Sequence, residues 1–350
     1  MDKYWIWLST LKYIGPVMQK NLYSYFNGDL KRIYESTQTE LSGVPGITTR
    51  MIQQIMDNKS FEKVDSISRT IEEKGIGLLP VTDDRYPEIA KTCGESPILL
   101  YYKGKLQKFE RSIGVVGARR CTEYGKKVAR DIGKELAKRD VVLVSGFAKG
   151  IDSYSQAACM KAGGKTISFL GSGVDICYPS EQRKLYDELL ESGSVFLSKY
   201  PPVTPVKQQH FVERNALISA WSNEVIIVEA GVKSGALWTA KFAERQKREV
   251  YAVPHPIYSL DGQGCNQLLV KGKRPYVGVE SVFHENASMD SIAATKLDTN
   301  LVLLEKIPQS SSISKLKQVL GSEHRDLEEQ LFSLELEGRI IIRGDQVVRI

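Results

Sequence analysis

Four clusters of small residues, each placed where an apolar run ends, are the parts of this sequence best suited to chemistry. They are Gly114-Val115-Val116-Gly117-Ala118-Arg119-Arg120, Ser145-Gly146-Phe147-Ala148-Lys149-Gly150-Ile151-Asp152, Gly171-Ser172-Gly173-Val174-Asp175, and Glu229-Ala230-Gly231 followed by Ser234-Gly235-Ala236-Leu237. Glycine lets a backbone approach a ligand closely, and the amides at a helix start face an anion. One such turn needs no more explanation than β-α geometry. Four at strand ends, two carrying Arg119 or Lys149, suit several phosphates in a row or one nucleotide. A dinucleotide fits poorly: G-x-G-x-x-G is missing after the first strand, and the second strand ends in Ser145-Gly146 rather than an acid. There is no G-x-x-x-x-G-K-[ST] loop and no Ser-His-Asp or Cys-His pairing that marks a nucleophile. Glu229 has two readings, a base or a structural hydrogen-bond acceptor. The four histidines (210, 255, 284 and 324) lack metal-ligand spacing, so neither a metal nor a catalytic residue is assigned.

The elements that must position these clusters alternate between 111 and about 280. Buried strands are expected at Ile113–Val116, Val141–Val144, Thr166–Leu170, Val195–Leu197, Val225–Val228 and Val250–Val253, with helices between them. Tyr124–Lys138 is the clearest helix, with Val128, Ile132 and Leu136 on one face. Alternation at this spacing means an α/β domain with a mostly parallel sheet covered on both faces. Residues 71–110 read as a turn-rich lead-in around the apolar run Ile98–Tyr102.

Residues 1–70 read as a helical unit, with helical spacing in Tyr4–Leu11, Val17–Phe26, Leu30–Tyr34 and Met51–Met56. Its breaks at Ile14-Gly15-Pro16 and Val44-Pro45-Gly46-Ile47 have either a helix-hairpin-helix shape or that of a plain helical turn. Residues 284–300 are polar and read as a linker. In 301–350, helices at Leu301–Leu304, Ile313–Leu320 and Leu327–Glu337 precede a hairpin about Gly344-Asp345, the pattern of a winged helix.

The chain has 350 residues, 42% hydrophobic content and a net charge of +6. Its length suits two or three domains, and no window reaches the ~18 uninterrupted apolar residues of a membrane helix. Met1 to Thr10 lacks the basic flank and cleavage site of a secretory signal. Five cysteines without a Cys-x-x-Cys pair exclude a disulfide framework or a zinc ribbon and fit a reducing cytoplasm. Residues 111–280 carry 25 Lys+Arg against 17 Asp+Glu, a surplus of 8, which points to a polyanionic partner or a solvated basic face. Residues 301–350 carry 7 against 8, and Glu328, Glu329, Glu335 and Glu337 crowd the expected recognition helix. That module is therefore read as a protein-contact or regulatory unit.

Together these motifs resemble the DprA (Smf) family, single-strand-binding mediators of natural transformation. The resemblance runs through Tyr86-Pro87, Ser96-Pro97 to Gly104, the first three clusters above, Tyr178-Pro179, Tyr200-Pro201-Pro202 and Arg214-Asn215. It continues with Val228-Glu229-Ala230, Ser234 to Leu237, Thr239-Ala240, Ala252-Val253-Pro254, Gly264, Asn266 and Gly272. It implies an extended Rossmann-like parallel sheet, an N-terminal helical domain of SAM or helix-hairpin-helix type, and a C-terminal winged helix. The implied domains are 1–70, 71–283 and 301–350, with the linker at 284–300.

The implied function is binding single-stranded DNA, protecting it and loading the RecA recombinase onto it as a homodimer in the cytoplasm, without a cofactor. Carried over by position, the phosphate-binding residues are Gly117, Arg119, Gly146, Lys149, Gly150, Arg214, Asn215, Ser234 and Gly235. Arg119 and Arg214 are able to grip phosphate bidentately. Phe147, Phe211 and Trp238 are candidates for stacking a base, although core packing is the commoner role for such residues.

The sequence departs from the family pattern at four positions. Gln156 replaces a usual His, Lys199 a Glu, Ala216 an Arg and His255 a Gly. These changes admit a diverged paralogue with another partner. Other readings are a Rossmann-like nucleotide sensor or a nucleotide-processing enzyme similar to the LOG phosphoribohydrolases, and an adaptor acting through the acidic C-terminal module. Against the LOG reading, the stretch Gly231 to Trp238 has no Glu until Glu244, which removes that family's general acid or base.

Overall fold

The computed structural model describes residues 3–283, 303–304, 306–320, 327–336 and 339–349. The expected linker at 284–300 lies outside the described residues. The chain divides into two compact units, Met1–Val282 and Phe283–Ile350.

The first unit opens with six helices: α1 (Lys3–Thr10), α2 (Pro16–Tyr25), α3 (Leu30–Glu35), α4 (Gln38–Ser42), α5 (Thr49–Asp57) and α6 (Glu62–Glu73). Their starts follow from local chemistry. Pro16 takes the first position of α2, where a missing N–H costs nothing. Asp29 accepts from the Arg32 amide, Thr37 and Glu40 form a reciprocal capping box, and Thr48 caps α5. Helices α4 and α6 go beyond the four periodic stretches.

The main sheet has nine strands in the order β1-β2-β6-β5-β4-β3-β7-β8-β9. These are β1 (Gly77–Pro80), β2 (Leu99–Gly104), β3 (Ser112–Val116), β4 (Val142–Ser145), β5 (Thr166–Phe169), β6 (Val195–Ser198), β7 (Glu224–Ile227), β8 (Glu249–Ala252) and β9 (Arg274–Pro275). All pairings from β6 through β9 are parallel, whereas β1–β2 and β2–β6 are antiparallel. The six strands expected from buried apolar runs are present within a residue or so of their limits. The antiparallel edge pair lay hidden inside the stretch read as a lead-in.

That edge pair separates two cores. Leu79 and Leu100 point into the main sheet core with Phe169, Leu197 and Trp221. Leu78, Leu99 and Tyr101 point the other way, into a core with Trp7, Leu22 and Ile33 of the helices. Alternation of period two thus makes one short hairpin a wall between both.

Helices α7 (Glu88–Lys91), α8 (Glu123–Lys138), α9 (Ile151–Lys161), α10 (Arg183–Glu191), α11 (Gln208–Ala220), α12 (Ala236–Arg245), α13 (Gln263–Val270) and α14 (Glu280–Phe283) complete the unit. Chain order along the sheet reverses at β3, which has β4 on one side and β7 on the other. In open α/β sheets, ligands bind beyond the carboxyl ends of the strands at such a reversal.

The second unit holds β10 (Ser310–Ser312), α15 (Ile313–Leu320), α16 (Leu327–Leu336), β11 (Ile340–Arg343) and β12 (Gln346–Arg349). Its strands form an antiparallel sheet in the order β10-β12-β11, with Leu316, Leu331, Ile340 and Val347 in its own core. The hairpin turns at Gly344, whose φ of 60° suits glycine. No described helix is long and apolar enough to cross a membrane.

Candidate nucleic-acid interface

The four clusters meet over the reversal point, where they border two grooves that share Arg119, Ala148, Phe211 and Arg214. The larger, about 550 Å³, adds Arg120, Gly146, Lys149, Gly171 and Tyr178. The smaller, about 200 Å³, adds Gly117, Asp152, Asn215, Ser234, Gly235 and Trp238. The expected phosphate-contacting residues therefore come together, apart from Gly150, which borders neither groove.

Several of the glycines are needed by the fold before any ligand arrives. A Cβ on Gly117 would lie 2.6 Å from the Ile151 side chain and 2.9 Å from the Glu229 carbonyl. Gly150 has φ +86°, and a Cβ there would strike the carbonyl of Ala118. A Cβ on Gly146 would strike the Arg214 guanidinium. Gly235 alone among the four has open space around it, at the start of α12.

Arg214 is buried, at 4% exposure. Its Nη1 donates to the carbonyls of Gly146 and Phe169 (2.6 Å to the latter), and Nε donates to Asn215 Oδ1 at 3.2 Å. Asp152, also buried, accepts from the amides of Gly146 (3.1 Å) and Ala148 (3.3 Å). The Gly146 backbone is thus clamped, N–H by Asp152 and C=O by Arg214. Burial pushes the Arg214 pKa down to about 10, opposed by Asp152 and reinforced by Arg119. Burial pushes the Asp152 carboxyl up, opposed by Arg214 and by the two amides. The bidentate phosphate grip expected of Arg214 needs revision, because half of its fork is committed to backbone carbonyls. It acts first as a buttress and as a fixed positive charge.

Arg119 differs. It is exposed, stacks on the Phe211 ring (5.1 Å to the centroid), and joins no ion pair among the described residues. Its charge helps lower the Arg214 pKa, so two cations meet where the grooves join. Lys149 is exposed and paired with exposed Glu181 at 2.9 Å, a contact weak enough to exchange for a phosphate. Asn215 donates to the Gly235 carbonyl at 3.3 Å, and the Ser234 hydroxyl accepts from Ala236 N at 3.3 Å.

The three aromatics part company. Phe147 is fully buried against Tyr186 and Phe196, so its proposed stacking role is withdrawn. Its φ of +56°, costly for a bulky residue, follows from the tight exit of β4 at Gly146. Phe211 lies at the junction of both grooves, and Trp238 is 48% exposed with Lys241 Nζ 4.4 Å from its ring. Sequence reasoning passed over Tyr178, exposed in the larger groove and 5.6 Å from the Phe211 ring. It also left out Arg120, although that residue adjoins Arg119.

Glu229 is fully buried, and its two oxygens accept from the Thr122 amide (2.9 Å) and hydroxyl (2.5 Å). Thr122 caps α8 by accepting from Gly125 N at 3.1 Å. Of the two readings of Glu229, the structure supports the structural acceptor.

Residues 77–287 match the model of the family called DNA recombination-mediator protein A. The chain belongs to that family. Among its relatives is protein Smf of Synechocystis, 31% identical over 299 residues that cover 84% of this chain and 73% of that protein. The DNA processing protein DprA of Bacillus subtilis is 36% identical over 227 residues, covering 64% and 76%. The crystal structure of DNA processing protein A from Streptococcus pneumoniae overlays with a TM-score of 0.70 at 29% identity, covering 81% of this chain and 98% of that one. DNA processing protein A of Helicobacter pylori, solved for its single-stranded DNA binding mode, overlays at 0.53 with 28% identity, covering 60% and 94%.

The four departures are now placed. Gln156 is buried and donates to Ser168 Oγ at 2.6 Å. Lys199 pairs with Glu213 at 2.8 Å, Ala216 is buried, and His255 packs on Tyr124 and bonds the Val228 carbonyl at 2.9 Å. Each has local partners or a buried place in this fold, and none of the four lines either groove.

Proposed function

We propose that this protein binds single-stranded DNA along the two joined grooves and loads a RecA recombinase onto the strand. The observation that carries the reading is the junction of the grooves. Exposed Arg119 lies there on Phe211 beside buried Arg214, so a phosphate and a base plane have adjacent sites. Arg119, Lys149, Asn215, Ser234 and Gly235 contact phosphates in this reading. Gly117, Gly146 and Gly150 shape the backbone around them, and Phe211 and Trp238 offer stacking platforms. A stacked base contributes about 1–3 kcal/mol, which fits a strand with unpaired bases better than a duplex. The family's mediator role supports the loading step; protection of the bound strand, action as a homodimer and a cytoplasmic setting complete the proposal.

The domain reading belongs to the same proposal: a SAM or helix-hairpin-helix unit at 1–70, the extended Rossmann-like domain at 71–283 and a winged helix at 301–350. A strand, two helices and a hairpin that closes a three-stranded antiparallel sheet with that strand suit the last of these.

Fluorescence anisotropy with a labelled single strand and its duplex, titrated across salt, tests the reading. Tight, salt-sensitive preference for the single strand is expected. Faster recombinase coating of a strand already covered by single-strand-binding protein is expected in turn. Absence of binding at low salt would remove the DNA reading and return the grooves to a nucleotide ligand.

A further inference from the structure

A third groove, of about 540 Å³, shares no lining residue with the two DNA grooves, although its loop wall bonds Asp175 of the third cluster. It runs between the helices and the loop Tyr200-Pro201-Pro202-Val203-Thr204-Pro205. Leu11, Ile14, Ile67 and Leu99 give it an apolar floor. The charged residues that line it are Lys12, Lys63 and Lys199, with no acid among them. Lys199 is paired with Glu213, whereas Lys12 and Lys63 are exposed and join no ion pair among the described residues.

Three further observations bear on what fills it. Gly15, at the start of the ten-residue α2, lines the groove, and no side chain caps that helix end. An uncapped start with a lysine beside it favours a carboxylate. Gln19 is 5% exposed and also lines the groove. Its Nε2 donates to the carbonyls of Ile14 (3.1 Å) and Leu8 (3.4 Å), which leaves Oε1 buried without a partner. A buried acceptor left unpaired costs about 1–3 kcal/mol, and a ligand N–H would relieve it.

The loop wall is the third. Val203 is β-branched, 60% exposed and held at φ +65°, a conformation it resists. Its amide donates to Asp175 Oδ1 at 3.0 Å, and Lys74 pairs with the other oxygen of Asp175 at 2.6 Å. Strain that the surroundings maintain while presenting an apolar side chain is characteristic of binding surfaces.

We propose that this groove docks an extended, acidic segment of a partner protein, with aliphatic side chains on the floor and carboxylates at Lys12, Lys63 and the start of α2. A peptide supplies both the N–H for Gln19 and the negative charge. A nucleic-acid backbone supplies only the charge, so the orphan acceptor and the aliphatic floor favour protein.

The test is selection of a random octapeptide phage library on the immobilised full-length chain. The most enriched octapeptide is then synthesised with a fluorescein label and titrated. Enriched sequences should combine Asp or Glu with Leu, Ile or Val. Lys12→Glu with Lys63→Glu should weaken the octapeptide at least about tenfold. Val203→Gly, which suits the positive φ, should weaken it several-fold with no loss of thermal stability. Labelled oligo(dT) should bind wild type and both variants within about twofold. The proposal is overturned by no enrichment, by neutral or basic consensus peptides, or by unchanged octapeptide affinity in the charge-reversed variant. Loss of oligo(dT) binding in that variant would assign the groove to nucleic acid instead.

Discussion

Arg119 is exposed on the Phe211 ring, whereas Arg214 is buried with its Nη1 on two carbonyls. The same side chain therefore has separable effects at the two positions. Arg119→Ala should leave the melting temperature within a degree or so and weaken single-strand binding. Its log K against log salt should become shallower by about 0.7, the loss of one phosphate contact on a single strand. An unchanged slope would remove Arg119 from the contact set. Arg214→Lys should instead lower stability by about 2–3 kcal/mol in urea unfolding, because a point charge cannot reproduce the fork at Gly146 and Phe169. His210 gives a third prediction at this scale. Its Nδ1–H donates to the Gly171 carbonyl at 3.0 Å beneath a stacked Tyr200, and burial lowers its pKa from 6.5. Glu213 opposes that shift, and Lys207 and Lys199 add to it. Below about pH 6.5 the unfolded chain takes the proton more readily than the folded one, so acidification costs stability. Melting temperatures from pH 7.5 to 5 should fall less steeply in His210→Asn than in wild type.

Helix α8 starts at a site built from three residues: Thr122 caps it, Glu229 beyond β7 bonds Thr122 twice, and Gly125 makes room for the Glu229 carboxylate. Thr122→Val removes the cap and leaves a buried carboxylate oxygen without its donor. A loss of about 2–3 kcal/mol is expected from chemical denaturation; a loss below 0.5 kcal/mol would show that water reaches Glu229. The alternation of strand and helix was legible because the central strands are buried on both faces and most read as apolar runs, as in Val141–Val144. Strand β1 was not, since Gly77 and Pro80 bracket only two buried leucines and resemble a turn. The site clusters were legible from their glycines, but not the purpose of each. Whether Gly146 faces a ligand or an arginine depends on Arg214, 68 residues later in sequence. Likewise nothing local distinguishes Phe147, locked on Tyr186, from Phe211, open to the groove.

At the scale of the whole molecule, the grooves lie within the unit ending at Val282, and the unit from Phe283 has its own core. Removing residues 301–350 should leave single-strand affinity within about twofold in anisotropy titrations. A loss beyond tenfold would show that this slightly acidic unit takes part in DNA binding. The N-terminal helices stand in a different relation to the sheet. The β1–β2 hairpin sends Leu78, Leu99 and Tyr101 into their core and Leu79 and Leu100 into the other. Exchange of this region between family members therefore has a natural seam, and it is not the end of α6. A chimera cut there would pair foreign helices with a native hairpin face. One cut after Gly104 would carry the face along and leave only the sheet side to be matched. Recombination between related genes is thus constrained to inherit the helices and the hairpin as one cassette.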